Sequence, residues 1–493
     1  MSEIRHSIRF LLGGKRQEIT DFDPNRTLLD YLRSDARRMG TKEGCGEGDC
    51  GACTVVIGSL KDGHIHYEAV NACILFLPTL NGKLILTVED ISQPDGALHP
   101  VQQALVDLHG SQCGFCTPGF VMSMFAHLRS GGGDDLNSIN DALAGNLCRC
   151  TGYGPIIEAT RKALAETTND HLTALEKDWI THLSQLNHDA VSLTWTCPHN
   201  GEVRHYHAPK TLTALADVCA AHPDATLLAG GTDVGLWVTK QLRSLNDLIY
   251  LGDIADMTEI RDEENHISLG AAVTFSDALP LLTEYFPDLG EVLRRIGSTQ
   301  IRNRGTIGGN IANGSPIGDS LPVLIALNTE ITLHSKNGPR QLPLEEYFID
   351  YGTQDLRPGE FIASLRIPKL TQGQYFRAYK ISKRFDQDIS AVCAALCLTF
   401  DGDNISSARI AYGGMAATPK RATMAEQALT GATWSESTIT TAMTALEKDF
   451  SPLSDMRASA AYRLKVAQNL LLKAYIERQD QQETRLVGQG ACP

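Results

Sequence analysis

Gly44-Cys45-Gly46-Glu47-Gly48-Asp49-Cys50-Gly51-Ala52-Cys53 is the stretch from which the rest of this chain is read. Its thiols are spaced C-x4-C-x2-C, and Cys73 follows after nineteen further residues. That is the spacing of a plant-type [2Fe–2S] loop. Glycines between the cysteines let a short loop wrap a cluster and turn backbone N–H groups toward its sulfurs. The intervening side chains are small or acidic, so nothing bulky obstructs the wrap. A structural zinc site or a pair of disulfides is the alternative. Zinc sites usually pair two C-x2-C knuckles, which the x4 spacing fits poorly.

A second set of thiols lies downstream. Cys113, Cys116, Cys148 and Cys150 are spaced C-x2-C-x31-C-x1-C. Helical periodicity surrounds them. Val101, Leu105 and Leu108 mark one helix, closed at Gly110. Thr117-Pro118 is a cap and first-turn pair for a helix to Leu128. A shorter helix covers about 139–144, and Pro155 opens another that ends near Ala165. Four helices with cysteines at their ends place free N–H donors near the sulfurs of a second [2Fe–2S] cluster.

Upstream, residues 4–20 alternate around Gly13-Gly14, which predicts a β-hairpin. Asp23-Pro24 is expected to open a helix through Leu28, Leu29, Tyr31 and Leu32. Short strands are expected at 54–57 and 84–88. Residues 166 to about 205 show no convincing period and read as a connection, partly helical over 172–186.

Composition bounds the rest. The chain has 493 residues, 42% of them apolar and 21% charged, enough for about three globular domains. No stretch approaches the roughly 18 apolar residues of a membrane span. The first ten residues carry Glu3, Arg5, His6 and Arg9 and lack the look of a secretory signal. A net charge of −14 argues against nucleic acid or an anionic membrane as main partner. Of thirteen cysteines, eight fall in the two sets; Cys197, Cys219, Cys393, Cys397 and Cys492 are scattered and read as idle thiols. A reducing cytoplasm fits metal-bound thiolates best.

Two glycine stretches follow. Thr226-Leu227-Leu228-Ala229-Gly230-Gly231-Thr232-Asp233 reads as a strand, a glycine turn and then a helix over 234–242. Exposed N–H groups at such a turn suit a phosphate. Thr306-Ile307-Gly308-Gly309-Asn310 precedes Ile311 to Asp319 and a Leu-rich helix from Ser320. Two backbone-rich loops could hold a dinucleotide diphosphate, but neither carries G-x-G-x-x-G, so the site is not a Rossmann site. Strands are expected over 375–381, 389–400 and 405–412, helices over 437–450 and 458–477, and a polar tail from Gln479.

Taken together, GCGEGDCGACTV (44–55), QCGFCTPGF (112–120), NLCRCTGYGPI (146–156) and IGGNIANGSPIGD (307–319) resemble the xanthine oxidase (molybdenum hydroxylase) family, in family order from about residue 4 to 470. KISKRFDQDISAV (380–392) points toward its xanthine dehydrogenase branch. The resemblance implies a multidomain α+β chain. Its parts are a ferredoxin-like β-grasp domain (1–88), a four-helix [2Fe–2S] domain (89–166), a linker (167–204), a non-Rossmann α+β FAD-binding domain (205–370), a C-terminal α+β flavoprotein domain (371–480) and a tail (481–493). It also implies that Cys45, Cys50, Cys53 and Cys73 hold one cluster and Cys113, Cys116, Cys148 and Cys150 the other, the second nearer a molybdopterin. Residues 226–233 and 306–310 would carry FAD, with Asp319 and Lys380 as polar contacts and Ile362 as an apolar one. The loop 383–388 resembles a family segment that affects access to the flavin. Two departures stand out: Gly231 replaces an Asn of many relatives, and Ile296 falls where animal enzymes place an aromatic ring.

The implied function is an electron-transfer subunit. Electrons would pass from a molybdopterin centre on a large partner subunit through two clusters to FAD and then NAD⁺, during oxidation of hypoxanthine or xanthine. The chain is expected to hold no residue of the purine-oxidising site, which would lie on the partner in a heterodimer or dimer of heterodimers. The alternatives are the same relay in an aldehyde, nicotinate or carbon monoxide dehydrogenase, or a free-standing iron–sulfur flavoprotein carrier.

Overall fold

The computed structural model describes residues 4–167, 170–186 and 189–480; residues 481–493 of the expected tail, with Cys492, lie outside them, while Gln479 and Asp480 end a helix. The chain forms two compact units, the first from residues 1–255 with 297–305, the second from 256–296 with 306–493. No helix among the described residues is long and apolar enough to cross a membrane.

The first unit holds two five-stranded sheets. In one, Ile8–Leu12 (β2) and Lys15–Ile19 (β3) form the hairpin, followed by Leu28–Ser34 (α1), Thr54–Lys61 (β4), His64–Asn71 (β5) and Leu84–Leu86 (β6), in the order β3-β2-β6-β4-β5. Helix α1 starts later than Asp23-Pro24 suggests, because Thr27 caps it by accepting from the Asp30 N–H at 3.1 Å. Pro24 sits in the turn before.

Both faces of this sheet are buried. Ile8, Phe10, Leu12, Val55 and Ile57 pack into one cluster with α1. Leu11, Val56, Leu84 and Leu86 face another, with the helices Pro100–Asp107 (α2), Thr117–Arg129 (α3), Leu136–Leu143 (α4) and Gly154–Glu166 (α5). Alternate side chains therefore both meet apolar partners, which is why the strands read as continuous apolar runs. Cys116, not Thr117, is the cap residue of α3.

The expected linker is packed chain. Glu176–Leu183 (α6) buries Trp179 and Leu183 on the second cluster, and Tyr67 donates to Glu176 at 2.7 Å. His99 and Arg129 both bind Asp170. Ala190–Thr196 (β7), inside the expected linker, is a strand whose Val191, Leu193 and Trp195 alternate with Ser192, Thr194 and Thr196. It joins Ile4–Arg5 (β1), Val203–Ala208 (β8), Thr226–Leu228 (β9) and Asp247–Tyr250 (β10) in a second sheet ordered β1-β7-β8-β10-β9. Residues 4 and 5 thus leave the predicted hairpin and pair in parallel with Ala190 and Val191. Helix Leu212–Ala221 (α7) precedes β9, and Val234–Thr239 (α8) follows it.

The second unit carries an antiparallel sheet of Ile260–Asp262, His266–Gly270, Phe361–Pro368, Glu330–Ser335 and Gly338–Pro343. A second antiparallel sheet runs Gln374–Ile381, Val392–Asp401, Asn404–Gly413 and Lys420–Arg421. Helices Thr423–Leu429, Glu436–Asp449 and Ala460–Asp480 supply Leu429, Leu446 and Leu470 to the core of this sheet. Val392 to Leu398 are all buried, so the central strand alternates to two apolar faces.

Candidate electron-transfer site

The first cysteine set forms in the loop between α1 and β4, with Cys73 supplied just after β5. Cys45 Sγ accepts the N–H groups of Glu47, Asp49 and Cys50, each at 3.4 Å. Hydrogen bonds from Cys50 and Cys73 hold the Cys45 thiol well below the ordinary thiol range. The same contacts push Cys50 and Cys73 up, with burial adding to the rise. Cys53 is lowered by its bond to Cys73, against burial. Four crowded thiols therefore share protons, since like charges this close cannot all ionise without a cation among them. Donors of sulfur alone, with N–H groups aimed at one of them, fit a [2Fe–2S] cluster, whose irons replace those protons.

The second set lies where α3 begins and α4 ends. Cys113 and Cys150 are exposed, Cys116 and Cys148 half-buried. Cys113 is lowered by the Phe115 backbone and by Cys150; burial and Cys148 push Cys116 up to about 12. Cys148 Sγ accepts from the Thr151 hydroxyl at 3.2 Å and its N–H at 3.5 Å. Here too the candidate donors are all sulfur, and Thr151 supplies hydrogen bonds to one of them. Phe115, Leu147 and Tyr153 stand exposed beside them, at 47%, 47% and 39%.

The two sets are joined directly. The N–H of Leu147, the residue before Cys148, donates to the Cys50 carbonyl at 3.0 Å. A Cβ on Gly119 of α3 would lie 2.2 Å from the Gly51 carbonyl oxygen, and one on Gly51 2.2 Å from that of Gly145. Only glycine permits this approach.

The glycine stretches behave differently from each other. In the first unit, β9 ends in a turn where Gly231 has φ +77°. A Cβ on Gly230 would lie 1.6 Å from the Arg304 carbonyl oxygen. Among the described residues, the N–H groups of Gly230, Gly231, Thr232 and Asp233 reach no acceptor. A run of unpaired donors fits a diphosphate. Burial pushes the Asp233 carboxyl up, opposed by a bond from Trp237.

In the second unit, the stretch expected as a loop is helix. Ile307–Asn313 is capped by Thr306, which accepts from Gly309. The Ile307 and Gly308 N–H groups bind Val273 and Ala271. Gly308 is dictated by packing, because its Cβ would sit 2.4 Å from the Ala271 oxygen. These backbone donors are therefore already used, unlike those of the first turn, while Gly309 is exposed and meets only Thr306. Ile362 is buried on its strand opposite Leu333.

Asp319 and Lys380 form a buried ion pair at 2.6 Å, and Lys380 also donates to the Arg295 carbonyl at 3.0 Å. Arg295, which the sequence did not single out, fastens the 383–388 loop. It donates to Lys380 O, Ser382 Oγ and Phe385 O, each at 3.2 Å, and lies 4.3 Å from the Phe385 ring centroid. A cavity of about 390 Å³ opens here; six cationic side chains line it, Arg295, Lys383 and Arg384 among them, against the carboxylates of Asp288, Glu291 and Glu477.

Known proteins share these parts. Residues 11–77 match the family described as 2Fe-2S iron-sulfur cluster binding domain, and 87–161 the [2Fe-2S] binding domain. Residues 201–370 match the FAD binding domain in molybdopterin dehydrogenase, and 377–478 the CO dehydrogenase flavoprotein C-terminal domain. The chain is 33% identical to a xanthine dehydrogenase of Emericella nidulans over 97% of its own length and 39% of that protein. It is 30% identical to aldehyde oxidase 1 of Oryctolagus cuniculus, over 95% of itself and 39% of the relative. It thus spans about two-fifths of the curated relatives' length. A chain of the reconstituted CO dehydrogenase from Oligotropha carboxidovorans aligns at 30% identity with TM-score 0.52, covering 55% of this chain and 96% of that one.

Proposed function

This chain belongs to the molybdenum hydroxylase family, and from that premise we propose that it is the electron-transfer part of an NAD⁺-dependent xanthine dehydrogenase. Cys45, Cys50, Cys53 and Cys73 hold one [2Fe–2S] cluster, and Cys113, Cys116, Cys148 and Cys150 the other. Residues 226–233 and 306–310, with Asp319, Ile362 and Lys380, serve FAD. Bound in these places, the clusters carry single electrons and the flavin collects two for hydride transfer.

The observation that carries the reading is the asymmetry of the two sets. Cys53 and Cys73 of the first are buried, whereas Cys113 and Cys150 of the second are exposed beside Phe115, Leu147 and Tyr153. A relay with one end at an apolar patch suits a partner that delivers electrons there. That partner is a large molybdopterin-binding subunit that hydroxylates a purine, in a heterodimer or dimer of heterodimers, in a reducing cytoplasm. The cationic cavity beside Arg295 and Lys380 supports an anionic dinucleotide such as NAD⁺ as acceptor. Likeness to aldehyde oxidase and CO dehydrogenase favours, as second reading, the same relay with a different partner substrate.

Purification of the native protein tests this. About four irons and one FAD per chain, a molybdenum-containing companion and NAD⁺-dependent xanthine oxidation are expected. Zinc in place of iron, or half that iron, sinks the two-cluster reading. Oxidation of an aldehyde but not a purine selects the second.

A further inference from the structure

We propose that Asn146, Gln300, Ser123 and Thr54 are positioning residues for electron exchange between the two cysteine sets, holding the Leu147 N–H on the Cys50 carbonyl as its bridge. This rests on the reading that both sets carry clusters.

The bridge connects residues of the two sets through backbone and a single hydrogen bond. From Cys50 Sγ it follows the side chain to the carbonyl, crosses one 3.0 Å hydrogen bond to Leu147, and continues one residue along the backbone to Cys148 Sγ. Electronic coupling decays more steeply through space than through bonds, so one well-held hydrogen bond matters. A single electron leaves one cluster, oxidising it, and reduces the other; no covalent bond changes and no proton moves.

Four polar side chains surround the bridge, each no more than 2% exposed. Asn146, between Gly145 and Leu147, donates through Nδ2 to the Gly51 carbonyl at 3.1 Å and to Thr54 Oγ1 at 3.2 Å. Its Oδ1 accepts from Ser123 Oγ at 2.6 Å and Gln300 Nε2 at 3.0 Å. Gln300 Nε2 also lies within reach of Ser123 Oγ at 3.2 Å and Thr54 Oγ1 at 3.3 Å. Thr54 Oγ1 in turn donates to Gly51 O at 2.7 Å.

Gly51 directly follows Cys50, and Asn146 directly precedes Leu147. The network therefore grips both chains beside the bridge. An apolar filling could bury this volume at lower desolvation cost, but it could not fix the relative position of two backbones. A buried circuit of hydrogen bonds that ties both together does so. Gln300 Oε1 is buried with no partner among the described residues, so the side chain serves through its donors.

The test uses the full chain with clusters loaded. Asn146→Ala, Gln300→Met and Ser123→Ala are compared with the native protein by iron content, by EPR of the fully reduced state and by the rate of electron equilibration after a rapid pulse of reductant. Each variant is expected to keep about four irons and the g-values of both clusters. The magnetic splitting between clusters is expected to weaken, and equilibration to slow about tenfold or more in Asn146→Ala and Gln300→Met, equivalent to about 1.4 kcal/mol of barrier. Ser123→Ala, which leaves the Asn146 bonds to Gly51, Thr54 and Gln300 in place, is expected to slow it less. Unchanged rate and splitting in loaded Asn146→Ala and Gln300→Met overturn the proposal. So does outright loss of one cluster in every variant, which makes the network scaffolding for a ligand loop. A native protein lacking four irons instead defeats the underlying reading.

Discussion

Lys380 sets its ammonium 2.6 Å from the Asp319 carboxylate, with side chains 2% and 6% exposed. Burying both charges is costly, and removing one partner strands the other. Lys380→Met alone, or Asp319→Asn alone, is expected to destabilise the second unit by about 3–5 kcal/mol. The double variant Lys380→Met/Asp319→Leu recovers much of that loss. Thermal melts of the three proteins measure it. Equal losses in single and double variants contradict a buried pair.

Gly230→Ala drives a methyl into the Arg304 carbonyl, 1.6 Å from where the Cβ falls. Overpacking of this kind costs about 1–3 kcal/mol, here expressed as flavin affinity weaker by roughly five- to a hundredfold. Flavin released by acid, set against iron in the same sample, reads it out. FAD is expected to fall while iron holds; full flavin occupancy removes this turn from the cofactor site.

Cys148→Ser removes a thiolate that the second set needs. The EPR signal of that cluster is expected to vanish, iron to drop to about two per chain, and the first cluster's signal to persist. Loss of both signals together contradicts separate ligand sets.

His207, on β8, accepts or donates at Ser192 Oγ over 3.1 Å and packs 4.6 Å from the His222 ring. Burial, then His222 and His205, lower its pKa from 6.5 to about 4, with Asp247 opposing. The unfolded chain therefore binds this proton more readily than the folded one. Stability is undiminished above 6.5 and falls as pH drops from 6.5 toward 4. His207→Gln is expected to flatten that limb, seen as a smaller change in melting temperature between pH 7 and 5. An imidazole NMR titration of the native protein should find the midpoint near 4.

Much of the first unit can be read locally. Cysteine spacing announces both sets, Gly13-Gly14 the hairpin turn, and 3.6-residue periodicity the helices from α2 to α5. What escaped is what depends on distant partners. Strand β7 does alternate, Val191, Leu193 and Trp195 against Ser192, Thr194 and Thr196, but seven such residues inside a polar stretch look like connection until β1 and β8 flank them. The Gly308-Gly309 stretch looked like a loop because glycines disfavour helix, yet Thr306 caps it and Ala271 needs the space. Gln300 gives no local signal at all: a glutamine in a polar segment becomes a buried donor only through Ser123, Asn146 and Thr54. Arg295 was hidden in the same way, since its partners in 380–385 lie some 85 to 90 residues on.

The nine residues from Gly297 to Gly305 belong to the first unit although the chain has by then entered the second. During synthesis, Gln300 leaves the ribosome 154 residues after Asn146, a delay of roughly 8–30 s at ordinary elongation rates. All eight cysteines of the two sets wait through that interval on a unit that still lacks the Gln300 donor. Cluster delivery and completion of the unit are thus separated in time, so a stalled or truncated nascent chain can display its full set of thiols without the lock that aligns them.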